Sequence, residues 1–375
     1  MRRLVLAGAG HAHLEVLLRM AAARDASIEA TLVSPYPWFT YSAMLPGFIA
    51  GHYEIDDITL ELSPLCNAAG VTFVQTAVAR LDTAAREVHC ANGAVLGYDA
   101  LSLDVGVEPA VDGARGVSRH AVVVRPLERV VKGWTDLLVR AREGQVGAVT
   151  IVGGGAAGVE IAFAMEYRLR QELGLASAHV RLVSDAPQIV PAYPPSARRS
   201  LLRKFARRNI GLHAGAAVTE VGPDYVRLEQ GLEFATDGVF WATGGVAPAW
   251  ARESGLATDE AGFVLTDPML RSVSHAEVFA VGDCQTSRDR PRPRAGVFAV
   301  RAGPVLAANL HAALVGEPLR AFATSPRYLA LLSTGSRHAV GVWDRIAFEG
   351  GWAWRWKDRI DRHFLGRYRA IAGPR

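Results

Sequence analysis

The hydrophobic pattern of this chain occurs twice. Near the N-terminus a short apolar run, Leu4-Val5-Leu6-Ala7, ends at Gly8-Ala9-Gly10-His11-Ala12-His13, and a helical stretch from Leu14 to Ala23 follows. An apolar run of this length bounded by glycine reads as a buried strand. A second strand, Ile28 to Val33, comes next. Short alternating stretches with a hairpin turn at Asn92-Gly93 then end in Tyr98-Asp99-Ala100-Leu101-Ser102-Leu103-Asp104-Val105-Gly106. The order recurs from Val149-Thr150-Ile151-Val152, which leads into Gly153-Gly154-Gly155-Ala156-Ala157-Gly158-Val159-Glu160. A helix follows Gly158, a strand runs from Val180 to Val183, and a meander ends in Phe240-Trp241-Ala242-Thr243-Gly244-Gly245. Strand, helix and strand, then a small antiparallel meander, predicts a doubly wound α/β sheet with an added β layer, built twice.

A third apolar strand, Val278-Phe279-Ala280-Val281, delivers Gly282-Asp283-Cys284, and a helix begins near Ala295. After Ser325 the pattern predicts two short strands around Gly341 and Ile346, then a helix from Trp352. On that helix Trp352, Trp356, Ile360 and Phe364 fall at i, i+4 spacing among Arg355, Lys357, Arg359, Arg362 and Arg367. Such a stripe suits core packing or a dimer contact first, and a bilayer interface second.

The two glycine clusters carry the candidate chemistry. Each sits at a strand-to-helix turn, where glycine lets the backbone approach a pyrophosphate and the helix N-terminus supplies N–H donors. One such turn can merely join two elements. Two in one chain suggest a pair of nucleotides held face to face. An acidic residue at the end of the third strand, Asp283, places an acceptor beside whatever the sheet binds, although an Asp there can also cap a turn.

Composition narrows the class. The 375 residues are 50% hydrophobic and 21% charged, values of a globular protein with room for two or more cores. Net charge is +4, and with only Lys132, Lys204 and Lys357 as lysines the positive charge is almost all arginine. That reads as compositional bias, with no nucleic-acid footprint expected. Cys66, Cys90 and Cys284 are scattered, with no metal-like spacing, which predicts a reducing, cytoplasmic setting. Met1-Arg2-Arg3 precedes an apolar run too short for a signal peptide, and no uninterrupted apolar stretch reaches the ~18 residues of a membrane span.

With both fingerprints and the Gly-Asp element in register, the chain resembles the two-dinucleotide-binding-domain flavoproteins of the pyridine nucleotide-disulfide oxidoreductase superfamily. The segment Val33 to Pro46 resembles type II NADH dehydrogenases. Gly8 to Leu14, Pro293 to Gly303 and the Trp-rich tail are similar to the flavoprotein domain found fused to selenide, water dikinase. The resemblance implies FAD at the first site and NAD(P)H at the second. Gly8 and Gly10 would pack on the FAD pyrophosphate, Ser34 could bond the adenosine ribose, and His11, Ala12, Pro35 and Gly106 would be further cofactor-binding positions. Ser42, Ala43 and Pro46 would sit beside the isoalloxazine, and Asp283, after Gly282, would bind the ribityl chain. The helix start at Ala295, Gly296 and Val297 would face the flavin pyrimidine edge, where its dipole favours the reduced flavin. Gly153, Gly155, Ala156, Gly158, Asp185, Thr243 and Gly244 would hold NAD(P)H. Glu160 matches a family Glu near both rings, and it also suits the dipole of its own helix.

Departures from the family pattern carry information. Thr40 to Gly47 lacks the cysteine pair of disulfide reductases, and Cys284 reads as a small buried residue, so no thiol relay is expected. His13 replaces a third glycine; a packed His is the first reading and cofactor contact the second. Ser34 stands where a ribose-binding acid is usual. Asp185 leans toward NADH by disfavouring a 2′-phosphate, while Arg198 and Arg199 could reverse that. Arg301-Ala302 stands where type II NADH dehydrogenases have two glutamines facing quinone, so Arg301 meets an anionic acceptor, the flavin, or only solvent. The loop Arg288 to Arg294 reads as solvated and stiff.

The expected architecture is therefore α/β: two Rossmann-like domains of three-layer ββα type, the NAD(P)H domain (121–245) inserted in the FAD domain (1–120 and 246–322), and a small C-terminal α+β cap (323–375). The expected activity is hydride transfer from NAD(P)H to FAD, then electron delivery to a separate acceptor without a redox disulfide. Quinone leads as acceptor; a protein or a selenium or sulfur compound is the alternative, and a slowly turning-over flavin-binding partner module is the competing class. A peripheral contact with the cytoplasmic membrane face through the tail, or a homodimer, stays open.

Overall fold

The computed structural model describes residues 1–289 and 291–373. Its centre is a pair of five-stranded parallel sheets. The first runs Val278–Ala280, Ala100–Leu103, Arg2–Ala7, Ile28–Ser34, Thr72–Gln75. The second runs Ala121–Val123, Gly238–Trp241, Ala148–Val152, His179–Ser184, Gly211–Ala214. The two follow one plan, except that the outermost strand comes from the far end of the chain in the first sheet and from just ahead of the second glycine cluster in the other. Each has a three-stranded antiparallel meander, 78–97 in the first half and 218–235 in the second.

The continuous apolar runs have a simple physical origin. Leu4 and Leu6 point to the helix side, packing with Leu14 and Leu17, while Val5 and Ala7 point to the meander side with Val88 and Tyr98. A strand covered on both faces has no polar face to show. Each such Leu contributes about 1.5–3 kcal/mol by leaving water. The second sheet is divided the same way, with Ile151 on the helix side and Val152 and Trp241 on the meander side.

One helix, Gly296–Val315, stands out by its length and apolar content. It is long and apolar enough to cross a membrane by length and composition, with a mean hydropathy of 1.4, and half of that window is buried. Arg301, Asn309 and His311 interrupt the run in sequence, so no unbroken apolar stretch announces it. It lies close against the helix His11–Ala22: a Cβ on Gly303 would come within 2.7 Å of Glu15 Cβ.

The tail differs in two respects. Three antiparallel strands form, Leu329–Thr334, Ser336–Trp343 and Ile346–Gly350, where two were expected. The helix Gly351–Ala372 buries Ala353, Trp354, Lys357, Asp361, Phe364, Leu365 and Tyr368. Of the expected core stripe only Phe364 is inside; Trp352, Trp356 and Ile360 are 50%, 43% and 41% exposed. The burial of a Lys and an Asp displaced the apolar stripe, because the two neutralise each other one turn apart, Nζ to Oδ2 at 2.6 Å. The loop before Gly296 is exposed at Arg288, Asp289, Pro291, Pro293 and Arg294, as its charge suggests, and two of its arginines lie over rings. Arg292 lies over the Phe322 ring and Arg294 over Phe263, while Arg290 falls outside the described residues.

Candidate functional site

A cavity of about 450 Å³ opens along the carboxyl ends of the first sheet. Gly8, Gly10, His11, Ser34, Pro35, Ser42, Gly106, Gly282, Asp283 and Gly296 all line it. Residues expected at one cofactor thus converge from five separate stretches of chain, the arrangement a sheet produces where strand order reverses. Ala295 lines a smaller adjoining recess, and Val297 is partly buried one residue beyond Gly296. Ala12 and Pro46 stand behind the wall. Ala43 is not among the lining residues, and its carbonyl accepts from Lys357 Nζ.

The first turn is built on close approach. Gly8 has φ +89°, and a Cβ there would sit 2.4 Å from the Asp104 carbonyl oxygen. Its N–H donates to Val33 O at 2.8 Å, tying the turn to the neighbouring strand. His13 is fully buried: Nδ1 bonds Gly8 O at 2.6 Å and Nε2 bonds Ser102 Oγ at 2.8 Å. Burial pulls its pKa down to about 4, so the ring is neutral, Nδ1–H donating and Nε2 accepting. The packed reading of His13 therefore holds. His11 reaches the cavity wall instead, edge-on to Phe39 at 5.1 Å and near Tyr41 and Phe364. Burial lowers it to about 4 as well, against the pull of Asp283.

Two participants were missed in the sequence. Arg125 Nη1 donates to Asp283 Oδ2 at 2.9 Å, bringing a half-exposed guanidinium to the cavity rim. Asp104, at the end of the strand Ala100–Leu103, inserts a buried carboxylate under the glycine turn. Its Oδ2 accepts from Ala12 N at 2.9 Å and His13 N at 3.2 Å. Arg301, in contrast, is occupied away from the cavity: it donates to Thr324 Oγ1 and to the carbonyls of Ser325 and Arg327, fastening the approach to the tail.

The second glycine cluster presents an open edge. Gly155, Asp185, Thr243 and Gly244 are exposed just beyond the strand ends of the second sheet, and Ala156 is partly so. A Cβ on Gly155 would meet nothing within 4 Å, whereas one on Gly158 would lie 1.9 Å from Gly153 O. Gly158 is there for packing, while packing places no demand on Gly155. The Asp185 carboxylate accepts from Ala186 N at 2.8 Å.

Glu160 joins the two halves and the tail. Its Oε1 accepts from Ser333 N at 2.7 Å. Burial pushes its carboxyl up to about 7, opposed by the Lys357 ammonium and the Ser333 N–H and assisted by Asp361. Lys357 in turn bonds Ala43 O, whose neighbour Ser42 lines the cavity. Tyr41 OH donates to Asp361 Oδ1 at 3.2 Å. The result is a Glu–Lys–Asp group, its Lys and Asp buried and its Glu partly so, one residue behind the cavity wall. Cys284 plays no part in it: its thiol is buried, donates to Val281 O, and is pushed up to about 12 by desolvation.

Known proteins match this arrangement over nearly all of its length. The family model described as pyridine nucleotide-disulphide oxidoreductase matches residues 2–303. A type II NADH:quinone oxidoreductase of Staphylococcus epidermidis is 24% identical over 368 residues, covering 91% of this chain and 89% of that protein. The internal alternative NAD(P)H-ubiquinone oxidoreductase A1 of Arabidopsis thaliana, a mitochondrial protein, is 24% identical over 314 residues, 75% of this chain and 61% of its own. Among solved structures, the sulfide:quinone oxidoreductase of Aquifex aeolicus superposes with a TM-score of 0.83 at 19% identity, covering 99% and 92% of the two chains. NDH2 of Plasmodium falciparum in complex with NADH superposes with a TM-score of 0.81 at 14% identity, covering 98% and 97%. These likenesses bear out the resemblance to the superfamily and to type II NADH dehydrogenases, and the doubly built α/β fold read from the glycine clusters. The chain belongs to the pyridine nucleotide-disulphide oxidoreductase family and is an FAD-dependent NAD(P)H oxidoreductase.

Proposed function

We propose that the protein passes electrons from NADH through FAD to a quinone, with no thiol intermediate. FAD supplies the chemistry of hydride acceptance and onward electron transfer when bound. The cavity fits it: glycines at Gly8 and Gly10, an open Gly106, and Asp283 at the wall leave a site of the volume a cofactor needs. In this reading the first sheet with residues 1–120 and 246–322 is the FAD domain, 121–245 binds the nicotinamide nucleotide, and 323–375 caps the junction. Asp185 favours NADH by repelling a 2′-phosphate. Glu160, poised near 7, holds a proton at its carboxyl close to neutral pH, ready for an acceptor that takes protons with its electrons.

The single observation that carries the quinone is the outer face of the tail. Phe348, Trp352 and Trp356 stack in a row, with centroids 5.0 and 6.4 Å apart, and Ile360 continues the exposed stripe, with Arg355 and Arg359 exposed along one side of it. Aromatic rings flanked by arginine suit the boundary of an anionic bilayer, where an apolar quinone is dissolved. A second copy of the chain is the other cover for this stripe. One experiment separates the possibilities. Anaerobic NADH should bleach the flavin band near ~450 nm, and a quinone in anionic vesicles should restore it while the protein sediments with the vesicles. Failure of NADH and NADPH to bleach would remove the enzyme reading. Bleaching reversed only by a selenium or sulfur compound or a protein acceptor would remove the quinone.

Asp283 gives a separate test of the FAD site. A carboxylate bonded to a ribityl hydroxyl makes a charge-assisted bond, and its loss costs about 1.5–3 kcal/mol, or about ten- to hundredfold in affinity. Arg125 is half-exposed, so losing its partner adds little. Asp283→Ala should purify with little flavin and regain colour and NADH-dependent bleaching in excess FAD. Full retention of FAD through gel filtration would show that Asp283 does not contact the cofactor.

A further inference from the structure

The two glycine turns superimpose their logic residue by residue, which exposes what is different about the first. A Cβ on Gly8 would lie 2.4 Å from Asp104 O, and one on Gly153 would lie 2.4 Å from Ala242 O. Asp104 N donates to Ala7 O at 2.8 Å, and Ala242 N donates to Val152 O at 2.7 Å. Asp104 therefore holds in the first repeat the place that Ala242 holds in the second, as His13 holds the place of Gly158. Where the nicotinamide half has a methyl group, the flavin half has a carboxyl group.

That carboxyl group sits between the two signature motifs of the FAD site. A Cβ on Gly10 would meet its Cγ at 2.2 Å, and one on Gly282 would meet its Oδ1 at 2.5 Å. It lines the cavity, and its Oδ2 already accepts the N–H groups of Ala12 and His13. Those amides belong to the helix N-terminus that a dinucleotide pyrophosphate uses in such a turn. A buried carboxylate beside a pyrophosphate sets like charges together in a poorly screened site.

We propose that Asp104 is a cofactor-recognition residue that couples FAD binding to proton uptake: it meets the pyrophosphate as a neutral acid and takes one proton from solvent when FAD binds. As the acid, Oδ2 still accepts from the two amides while the O–H becomes a donor inside the turn. No bond other than O–H forms, and the proton comes from water or buffer. The inference rests on FAD occupying this cavity. Burial raises Asp104 to about 7, with Asp283 pushing the same way and the two amides opposing, so the free protein carries the carboxylate above neutrality. The groups facing it cannot substitute for it. His11 and His13 on the helix are held near 4, Cys284 near 12, and Asp283 is paired with Arg125.

The test reads FAD release from the diluted holoprotein by the rise in FAD fluorescence between pH 6 and 9. In the wild-type chain the FAD Kd should rise roughly tenfold per pH unit above about pH 7.5, one proton being linked to binding. Asp104→Asn and Asp104→Ala should both give a flat profile and hold FAD at least ~10-fold tighter than wild type at pH 8.5. Ala is known to fit this turn, because Ala242 occupies it in the second repeat, so the pair of variants keeps the test open if one fails to fold. A flat wild-type profile, or the same slope in the variants, overturns the proposal while leaving FAD in the cavity. FAD binding unaffected by both Asp104→Ala and Asp283→Ala would overturn the cavity assignment as well.

Discussion

Gly155→Val should leave the protein folded and yellow while slowing flavin reduction by NADH at least about a hundredfold. Gly155 has φ −72° and ψ 179°, an extended conformation open to any residue, and a side chain there meets empty space. Valine therefore costs the fold little. Its methyl groups would stand where a pyrophosphate must approach the backbone of the helix start. Blocking two hydrogen bonds to a charged group, at about 1.5–3 kcal/mol each, corresponds to about a hundredfold or more. Gly158→Val is the contrasting control: its Cβ would collide with Gly153 O, so that variant should lose stability instead. Stopped-flow reduction with FAD content measured in parallel decides the matter. An unchanged reduction rate at low NADH in Gly155→Val would take the nucleotide away from this turn.

Lys357→Met should destabilise the holoprotein by about 3–5 kcal/mol, because it strands a buried carboxylate. Lys357 and Asp361 are 9% and 4% exposed, and their ion pair is 2.6 Å long. Methionine fills a similar volume but leaves Asp361 with the Tyr41 hydroxyl in place of an ammonium. Glu160 also loses the cation that lowers its pKa, so its carboxyl shifts above about 7 and keeps its proton to higher pH. Adding Asp361→Asn should recover much of the loss, since both charges are then gone. Urea unfolding of the three proteins measures this. A single variant within 1 kcal/mol of wild type would mean that the pair is hydrated in solution.

The sequence made the repeated strand–glycine–helix units and the Gly-Asp element legible because each depends on neighbours in the chain. Asp104 was not legible as a site residue. Its partners Ala12 and His13 are 92 and 91 residues away, and an acid after an apolar strand ordinarily marks a turn leaving the core. Comparing the repeats position by position, Leu103-Asp104-Val105-Gly106 against Trp241-Ala242-Thr243-Gly244, would have singled it out. Lys357 was read as one of several cations around an apolar stripe. Two local signals were available: it is one of three lysines in an arginine-rich chain, and Asp361 lies one helical turn on. The exposure of Trp352 and Trp356 was hidden for the same reason, since helical spacing finds two faces and cannot say which one a buried ion pair has claimed.

The way the tail is fastened imposes an order on biosynthesis. The helix Gly351–Ala372 reaches back to residues from the first sixty of the chain: Arg367 to Glu15, Lys357 to Ala43, Tyr53 to Asp358, and Arg369 to the carbonyls of Asp56 and Asp57. The outermost strand of the first sheet, Val278–Ala280, is also made late. A ribosome producing this chain N-terminus first completes the inserted half, whose strands all lie between residues 121 and 241, well before it can complete the half that begins the sequence. The first half must wait, with its apolar segments unmatched, until the last turns of the helix Gly351–Ala372 have left the exit tunnel.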